Sequence, residues 1–153
     1  MRRKFAYDLY NLMKDDKNIV LITADMGYGM LDRIKNDFPD RFYNVGVAEM
    51  AMMGMAVGMA LEGKIPVTYS ITPFLLFRPF EVIRNYINHE NIPVIMVGSG
   101  RGSDYKDGGF SHYAGDDNII KRFKNILFLA PEEDFDLSRV IYGNKPVYLN
   151  LQR

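Results

Sequence analysis

One acidic residue, Glu49, stands alone in an apolar part of the chain. It is the only charged residue between Arg41 and Glu62, and burying an unpaired carboxylate costs several kcal/mol unless the group is neutralised or hydrogen-bonded. One interpretation is a glutamate in the first turn of a helix, where the helix dipole contributes about 0.3–1 kcal/mol. The other is a chemical role, in which a buried acid shares a proton with a ligand nitrogen. The spacing alone leaves both interpretations open.

A second group of candidates is aromatic. Phe74, Phe77 and Phe80 are spaced three residues apart, which predicts three rings on one side of a helix. Such rings are able to wall a flat heterocycle, although an aromatic stripe of this kind is more often part of the core. Arg78 lies within the same segment, where it either binds an anionic substrate or is solvated at the surface.

The histidines and a few other residues complete the candidates for chemistry. His112 follows Asp107 in a glycine-rich segment and is the better candidate for a general acid or base, whereas His89 lies in a polar stretch beside Glu90. An exposed loop histidine is the alternative for His112. Arg153 is a further candidate for binding an anionic substrate. The sequence contains no HExxH motif, Walker loop or Gly-x-Ser-x-Gly elbow, which argues against zincins, P-loop enzymes and serine hydrolases.

The elements that must position these residues follow from the hydrophobic pattern. Short apolar runs alternate with amphipathic stretches, which predicts one doubly wound α/β domain with a mostly parallel sheet and helices on both faces. The predicted strands cover residues 19–23, 42–45, 67–70, 94–98, 126–129 and 147–151. The predicted helices cover residues 3–14, 31–37, 48–62, 72–88 with an interruption at Pro79, 116–123 and 132–142.

Ligands of such sheets bind outside the carboxyl ends of the strands. That rule points to the loops at residues 25–29, 70–74 and 98–112. The last of these contains His112, and the second begins the aromatic segment. Asp25 lies at the start of the first.

Composition limits the possible functions. The chain has 153 residues, of which 48% are hydrophobic and 25% charged, as expected for one globular domain. Nineteen basic residues balance nineteen acidic ones, so we expect no nucleic-acid partner and no membrane surface. Cysteine is absent, which excludes disulfides and cysteine-ligated metals and favours a reducing, cytoplasmic compartment. The most apolar stretch is too short for a membrane span and contains Glu49.

Taken in order, several motifs resemble the pyrimidine-binding domain of transketolase-type thiamine diphosphate enzymes. The central motif is NVGVAEM at residues 44–50, which continues as GMAVGMA at 54–60. TADM at 23–26 precedes it, and PFLLFR at 73–78, SH at 111–112 and YLNLQR at 148–153 follow. The resemblance extends over essentially the whole chain, as a single pyrimidine-binding domain over residues 1–153.

The resemblance assigns roles to the candidates. It implies that Glu49 hydrogen-bonds the ring nitrogen of the cofactor's aminopyrimidine and favours its imino tautomer, so that the neighbouring exocyclic nitrogen deprotonates the thiazolium carbon. It places His112 near the thiazolium and the substrate, as a catalytic and substrate-binding residue. The cofactor-binding residues implied in this way are Glu49, Phe74, Phe77, Phe80 and Asp25.

The resemblance also implies a partner. The family's diphosphate-binding domain, with a Gly-Asp-Gly motif and an asparagine that hold magnesium, has no counterpart in this sequence, and neither has the transketolase C-terminal domain. We therefore expect no metal site in this chain. The diphosphate and Mg²⁺ are expected on a separate partner subunit, in a heteromer with two copies of each chain.

The substrate is less closely defined. Arg3 and Arg153 match positions that contact acidic substrate groups in transketolases, but Tyr28 and Gly29 replace the usual phosphate-binding serine. The expected activity is transfer of a two-carbon ketol unit between sugars or related carbonyl compounds. The alternatives are a subunit of a 2-oxoacid decarboxylase or dehydrogenase, or a non-catalytic assembly module of the same fold.

Overall fold

One parallel sheet organises the chain in the computed structural model, which describes residues 1–115 and 117–153 and, of Asp117, the backbone alone. Within these residues the sheet has six strands in the order β2-β1-β3-β4-β6-β5, and every neighbouring pair is parallel. The predicted doubly wound α/β class is therefore confirmed. The strands are β1 (Ile19–Thr23), β2 (Phe42–Asn44), β3 (Ile65–Ile71), β4 (Ile95–Ser99), β5 (Leu127–Leu129) and β6 (Val147–Leu151).

The helices follow the predicted order with two differences. The last helix is shorter than predicted because the Asp136 side chain accepts a 2.9 Å hydrogen bond from the Ser138 backbone N–H and begins the helix at Leu137. The predicted helix at 116–123 is a 3₁₀-helix over Asp117–Arg122, and its predicted start at Asp116 lies outside the described residues. The α-helices are α1 (Arg2–Asp15), α2 (Asp32–Asp37), α3 (Glu49–Leu61), α4 (Thr72–Phe77), α5 (Phe80–Val82) and α6 (Leu137–Ile141).

Helices cover both faces of the sheet, as the apolar strands require. In β1, Ile19 and Leu21 pack into the core that includes Phe5 of α1 and Leu137 of α6. Ile22 points to the other face and packs into the core that includes Met53 of α3. Among the helices of the described residues, none combines the length and apolarity needed to cross a membrane.

The strand order creates a crevice at the carboxyl end of the sheet. β2 lies on one side of β1 and β3 on the other, so the connections leave β1 and β3 in opposite directions. This is the topological switch point at which α/β sheets bind ligands. The loop after β1 and the junction between β3 and α4 border it.

The aromatic segment is interrupted, as predicted, at Pro79. α4 ends at Phe77, α5 begins at Phe80, and the helix continues as a π-helix over Ile83–His89. A proline supplies no backbone N–H and crowds the preceding turn, which explains the break. Arg78 therefore lies at a joint between two short helices.

The junction under α4 is tightly packed at Gly98 of β4. A Cβ at this position would lie 2.7 Å from Thr72 Oγ1 and 2.9 Å from the Tyr148 hydroxyl. We expect Gly98→Ala to lower the free energy of unfolding by about 1–3 kcal/mol because the added methyl group would overpack the core. Urea denaturation of the chain measures this effect.

Gly58 of α3 provides the matched control because, apart from its own helix backbone, no atom of the described residues lies within 4 Å of a Cβ added there. Gly58→Ala is expected to raise the free energy of unfolding by about 0.5–1 kcal/mol, since alanine is the better helix former. A Gly98→Ala variant as stable as the wild type would contradict the close packing at β4.

Candidate active site

Glu49 is the first residue of α3, and its carboxylate is buried. The residue is 2% exposed. Its Oε2 accepts a 2.6 Å hydrogen bond from Arg78 Nη1, and its Oε1 accepts a longer bond of 3.4 Å from Ser70 Oγ in β3. The predicted need for a partner is thus met inside the chain. The position in the first turn also agrees with the helix-dipole interpretation.

Arg78 is the site residue whose role the sequence did not reveal. Its side chain is 41% exposed, yet its guanidinium pairs with Glu49 and lies over the Phe74 ring, with Cζ 4.0 Å from the ring centroid. Arg78 is therefore partly solvated, as one interpretation expected, but its guanidinium also has partners inside the protein. Two signals in the sequence point to the contact: a lone acid that needs a partner, and the four-residue spacing of Phe74 and Arg78, which aligns side chains on a helix.

The three phenylalanines have different surroundings. Phe74 is half-buried and lies edge-on to the His112 ring, with the centroids 4.9 Å apart. Phe80 packs on Phe123 at 5.7 Å, and Phe77 is 41% exposed. The spacing of three keeps rings on one side only while a helix is continuous, and the break at Pro79 removes that condition. The structure thus brings only Phe74 to Glu49, through Arg78.

His112 is held in a fixed orientation by its own loop. It ends a short 3₁₀-helix, Phe110–His112, and its Nδ1 lies 2.9 Å from the Gly108 carbonyl oxygen and 3.0 Å from Ser111 Oγ. Because a carbonyl oxygen only accepts hydrogen bonds, Nδ1 carries the proton that it shares with Gly108. In the neutral ring Nε2 is then the acceptor, the atom that a general base uses.

Asp25 lies at the carboxyl end of β1, in the left-handed region with φ +52°. Its backbone N–H donates to Asn44 Oδ1 at 3.0 Å, and the Tyr28 hydroxyl donates to its carboxylate. This hydrogen bond is the main cause that raises the pKa of the Tyr28 phenol, with smaller contributions from burial and from the charge of Asp25. Asp25 therefore borders the crevice, and its role toward a cofactor stays a prediction.

A basic cavity of about 1020 Å³ opens beside the loop after β1, from which Tyr28 lines it. Arginines dominate its charge, and no aspartate or glutamate lines it among the described residues. Guanidinium groups in such a setting favour carboxylate or phosphate groups. The residues that give the cavity this chemistry are Arg2, Arg3, Arg33, Arg153, Tyr69 and Tyr105.

The floor of the cavity contains a buried hydroxyl group, that of Tyr69. Arg2 Nη1 donates to the Tyr105 hydroxyl at 2.9 Å and to Ser99 Oγ at 3.2 Å. The Tyr69 hydroxyl is buried and forms no hydrogen bond of good geometry within the described residues. Burial is the main cause that raises its pKa, and the nearby Ser99 and Arg2 side chains lower the pKa by a smaller amount. A buried hydroxyl of this kind is costly unless a ligand or water completes it.

The two substrate-binding arginines predicted from the sequence both line the cavity, in different ways. The Arg3 side chain is exposed and makes no hydrogen bond with the described residues, whereas its neighbour Arg2 bonds Ser99 and Tyr105. Arg153 donates from Nη1 to the Asp104 carbonyl oxygen at 3.1 Å, and its guanidinium lies 4.8 Å from the Tyr105 ring centroid. Arg2 is thus a candidate that the sequence motifs did not single out.

Tyr105 connects the cavity with the Glu49 region. Its hydroxyl bonds Arg2, and its ring centroid is 6.4 Å from that of His112. His112 in turn contacts Phe74. The arrangement places a histidine between a buried carboxylate and a basic cavity. No cluster of three or more His, Asp or Glu residues suited to a metal ion occurs in the described part of the chain.

The position of His112 depends on Gly108. A Cβ at Gly108 would lie 2.3 Å from both Cγ and Nδ1 of the His112 ring. We expect Gly108→Ala to displace this ring and to abolish the nuclear Overhauser contact between His112 and Phe74. Ser111→Ala is the control, because it leaves the bond from Nδ1 to the Gly108 carbonyl intact. Persistence of the ring contact in Gly108→Ala would contradict the described geometry.

Comparisons with known proteins give the chain its family. Residues 1–151 match the family described as "Transketolase, pyrimidine binding domain". A protein named as a transketolase C-terminal section in Methanocaldococcus jannaschii is 33% identical over all of this chain and 50% of its own length. One of the subunits of an apulose-4-phosphate transketolase, from Actinobacillus succinogenes, is 35% identical over 91% of this chain and 47% of its own length.

Solved structures agree with these relatives. A split gene transketolase, described as an inactive beta4 tetramer, superposes with a TM-score of 0.78 and 28% identity, covering 99% of this chain and 51% of that one. Transketolase from Campylobacter jejuni superposes with a TM-score of 0.87 over 99% of this chain and 25% of that one, at 16% identity, and so shows the fold alone. The chain spans about half the length of the curated relatives it matches. It belongs to the transketolase pyrimidine-binding domain family.

Proposed function

We propose that this chain is the pyrimidine-binding part of a transketolase-like transferase, which moves a two-carbon ketol unit between sugar-type substrates with thiamine diphosphate. The observation that carries the proposal is a glutamate that is 2% exposed and is linked through Arg78 to the flat ring of Phe74. A buried carboxyl group and an apolar ring face are what an aminopyrimidine requires. The names of the relatives, a transketolase section and a transketolase subunit, support the same activity.

The residues present fit the pyrimidine half of the cofactor. Glu49 would exchange a proton with the ring nitrogen, and Phe74 would stack on the ring, with Phe77, Phe80 and Asp25 as further contacts implied by the family. When bound, thiamine diphosphate supplies the electron sink that stabilises the transferred fragment. Nε2 of His112, oriented by the Gly108 carbonyl, would move a proton at a substrate hydroxyl.

The rest of the cofactor site belongs, in this proposal, to a partner subunit. That subunit would hold the diphosphate and Mg²⁺, in an assembly with two copies of each chain. The relatives' greater length supports a larger working unit. The surface in and just before α3 supports a protein contact, because Val47, Met50 and Leu61 are 70%, 48% and 69% exposed and the sequence between Glu49 and Glu62 carries no charge. Exposed apolar surface of this kind is typical of protein interfaces.

The basic cavity favours an anionic substrate. Arg3 and Arg153 at its rim and Arg2 on its floor present guanidinium groups to one volume. A phosphate or carboxylate on the sugar would neutralise the charge of these guanidinium groups. We propose that the substrates carry such an anionic group.

Replacing the buried acid tests the chemistry. We expect Glu49→Gln to reduce turnover of the assembled enzyme by at least about 100-fold, because the amide cannot exchange a proton with the ring nitrogen. Thermal unfolding and subunit composition should change little. The control is Glu62→Gln at the exposed end of α3, which should keep full activity.

Product analysis in the same assay separates the alternatives. Release of carbon dioxide from a 2-oxoacid would identify a decarboxylase or dehydrogenase subunit instead. An assembled complex without bound thiamine diphosphate would indicate a non-catalytic module. Substantial turnover by Glu49→Gln would contradict the role of the carboxyl group.

The cavity makes a separate prediction about substrate binding. We expect Arg3→Gln to raise KM for a phosphorylated or carboxylated substrate by about tenfold with little change in kcat, since it removes one charge-assisted contact. Arg139→Gln, on the exposed side of α6, is the control. Steady-state kinetics measures both, and an unchanged KM in Arg3→Gln would exclude this arginine from the substrate site.

A further inference from the structure

One side chain covers both features that a pyrimidine ring would use. Arg78 donates from Nη1 to Glu49 Oε2 at 2.6 Å, and its Cζ lies 4.0 Å from the centroid of the Phe74 ring. The carboxylate and the aromatic face are therefore both engaged by one guanidinium. Ser70 is the second partner of the carboxylate, at the longer distance of 3.4 Å.

A guanidinium and an aminopyrimidine are chemically alike in the features that matter at this site. Both are planar, both have N–H donors along an edge that suits a carboxylate, and both stack on an aromatic ring. We propose that Arg78 is an internal stand-in for the aminopyrimidine. As long as no cofactor is bound, the guanidinium of Arg78 takes up the contacts to Glu49 and Phe74, and it has to move aside before the pyrimidine ring binds. The inference rests on the proposed function, because it concerns the same pyrimidine site.

The surroundings of Arg78 allow such a movement. The residue lies at the joint between α4 and α5, next to Pro79, and its side chain is 41% exposed. Its polar and charged contacts in the described residues are those to Glu49 and to the Phe74 ring. A flexible side chain with solvent on one side is able to turn outward without disturbing the core.

The stand-in has two consequences. Before the cofactor arrives, the buried carboxylate keeps a charged partner and is not left as an unpaired charge. When the cofactor binds, part of its interaction with Glu49 replaces an existing ion pair, which lowers the observed affinity relative to an open site. Arg78 is thus a positioning residue that acts through Glu49.

The test compares thiamine diphosphate binding by the wild-type chain, Arg78→Gln and Arg84→Gln. Arg84 is the matched control, because it lies six residues further along the chain, in the π-helix, and its side chain bonds only the neighbouring Asn85 among the described residues, at 2.8 Å. Chemical-shift titration of the isotope-labelled full chain measures affinity, and the same titration is repeated on the complex with its partner. We expect Arg78→Gln to bind about five- to tenfold more tightly, which is the effect of removing one partly exposed competing ion pair, while Arg84→Gln equals the wild type.

A second readout follows Arg78 directly. In the wild type the guanidinium N–H signals of Arg78 should be protected from solvent exchange by the bond to Glu49, and saturating thiamine diphosphate should remove that protection. A merely structural arginine would keep it. If Arg78→Gln does not fold, Arg78→Lys replaces it: lysine keeps the charge beside Glu49 but does not cover Phe74 in the same way, and should bind about twofold more tightly.

The outcomes are distinct. Equal or weaker binding by Arg78→Gln than by the wild type, with both proteins binding, would overturn the stand-in and leave the proposed function in place. Weaker binding would, in addition, make Arg78 a direct contact of the cofactor. Absence of thiamine diphosphate binding by all three proteins, alone and in the complex, would reject the proposed function and the stand-in together.

Discussion

When a carboxylate is removed from water, the groups around it have to replace the hydrogen bonds and the charge screening that water supplied. The residues around Glu49 do this. The residue is 2% exposed, with Arg78 at 2.6 Å and Ser70 at 3.4 Å as its partners. Removing one partner of a fully buried ion pair typically costs about 3–5 kcal/mol, and the partial exposure of Arg78 makes this pair cheaper to open. A structure optimised for stability alone would gain little from such a pair compared with apolar packing. The burial of Glu49 therefore points to a chemical use.

The sheet topology explains why the site lies where it does. The switch of direction between β1 and β3 opens a crevice at their carboxyl ends. β3 supplies Ser70, and α3 and α4 begin at this edge with Glu49 and Thr72. Beneath α4, Thr72 Oγ1 donates to the Gly100 carbonyl oxygen at 2.7 Å, which ties the aromatic segment to the loop after β4. Rigid elements thus hold the carboxylate and the Phe74 ring, while the more exposed loop holds His112.

Much of this was predictable from the sequence, for physical reasons. Apolar runs bounded by turn residues marked all six strands in order. The pattern was clearest for β1, β3, β4 and β6, which are buried on both faces and therefore have no polar side. The isolation of Glu49 in an apolar stretch predicted that it would need a partner. The four-residue spacing of Phe74 and Arg78 was a signal for the partner, but it did not fix its identity, since neither spacing nor hydrophobic periodicity shows where a long flexible arginine reaches. The spacing of Phe74, Phe77 and Phe80 did not show that the three rings have different surroundings, because Pro79 interrupts the helical register on which such spacing depends. The helix predicted at 132–142 was too long because Asp136 caps it later than expected.

In the proposed function, Glu49 is buried in order to bind the pyrimidine half of thiamine diphosphate, in an assembly with a diphosphate-binding partner. Native mass spectrometry decides this, on tagged chain recovered from its own source cells in the presence of thiamine diphosphate and magnesium. The expected result is a complex that contains this chain, a second polypeptide and bound cofactor in stoichiometric amount. Recovery of the chain alone, with neither a second polypeptide nor cofactor, would show that the site does not work in this way.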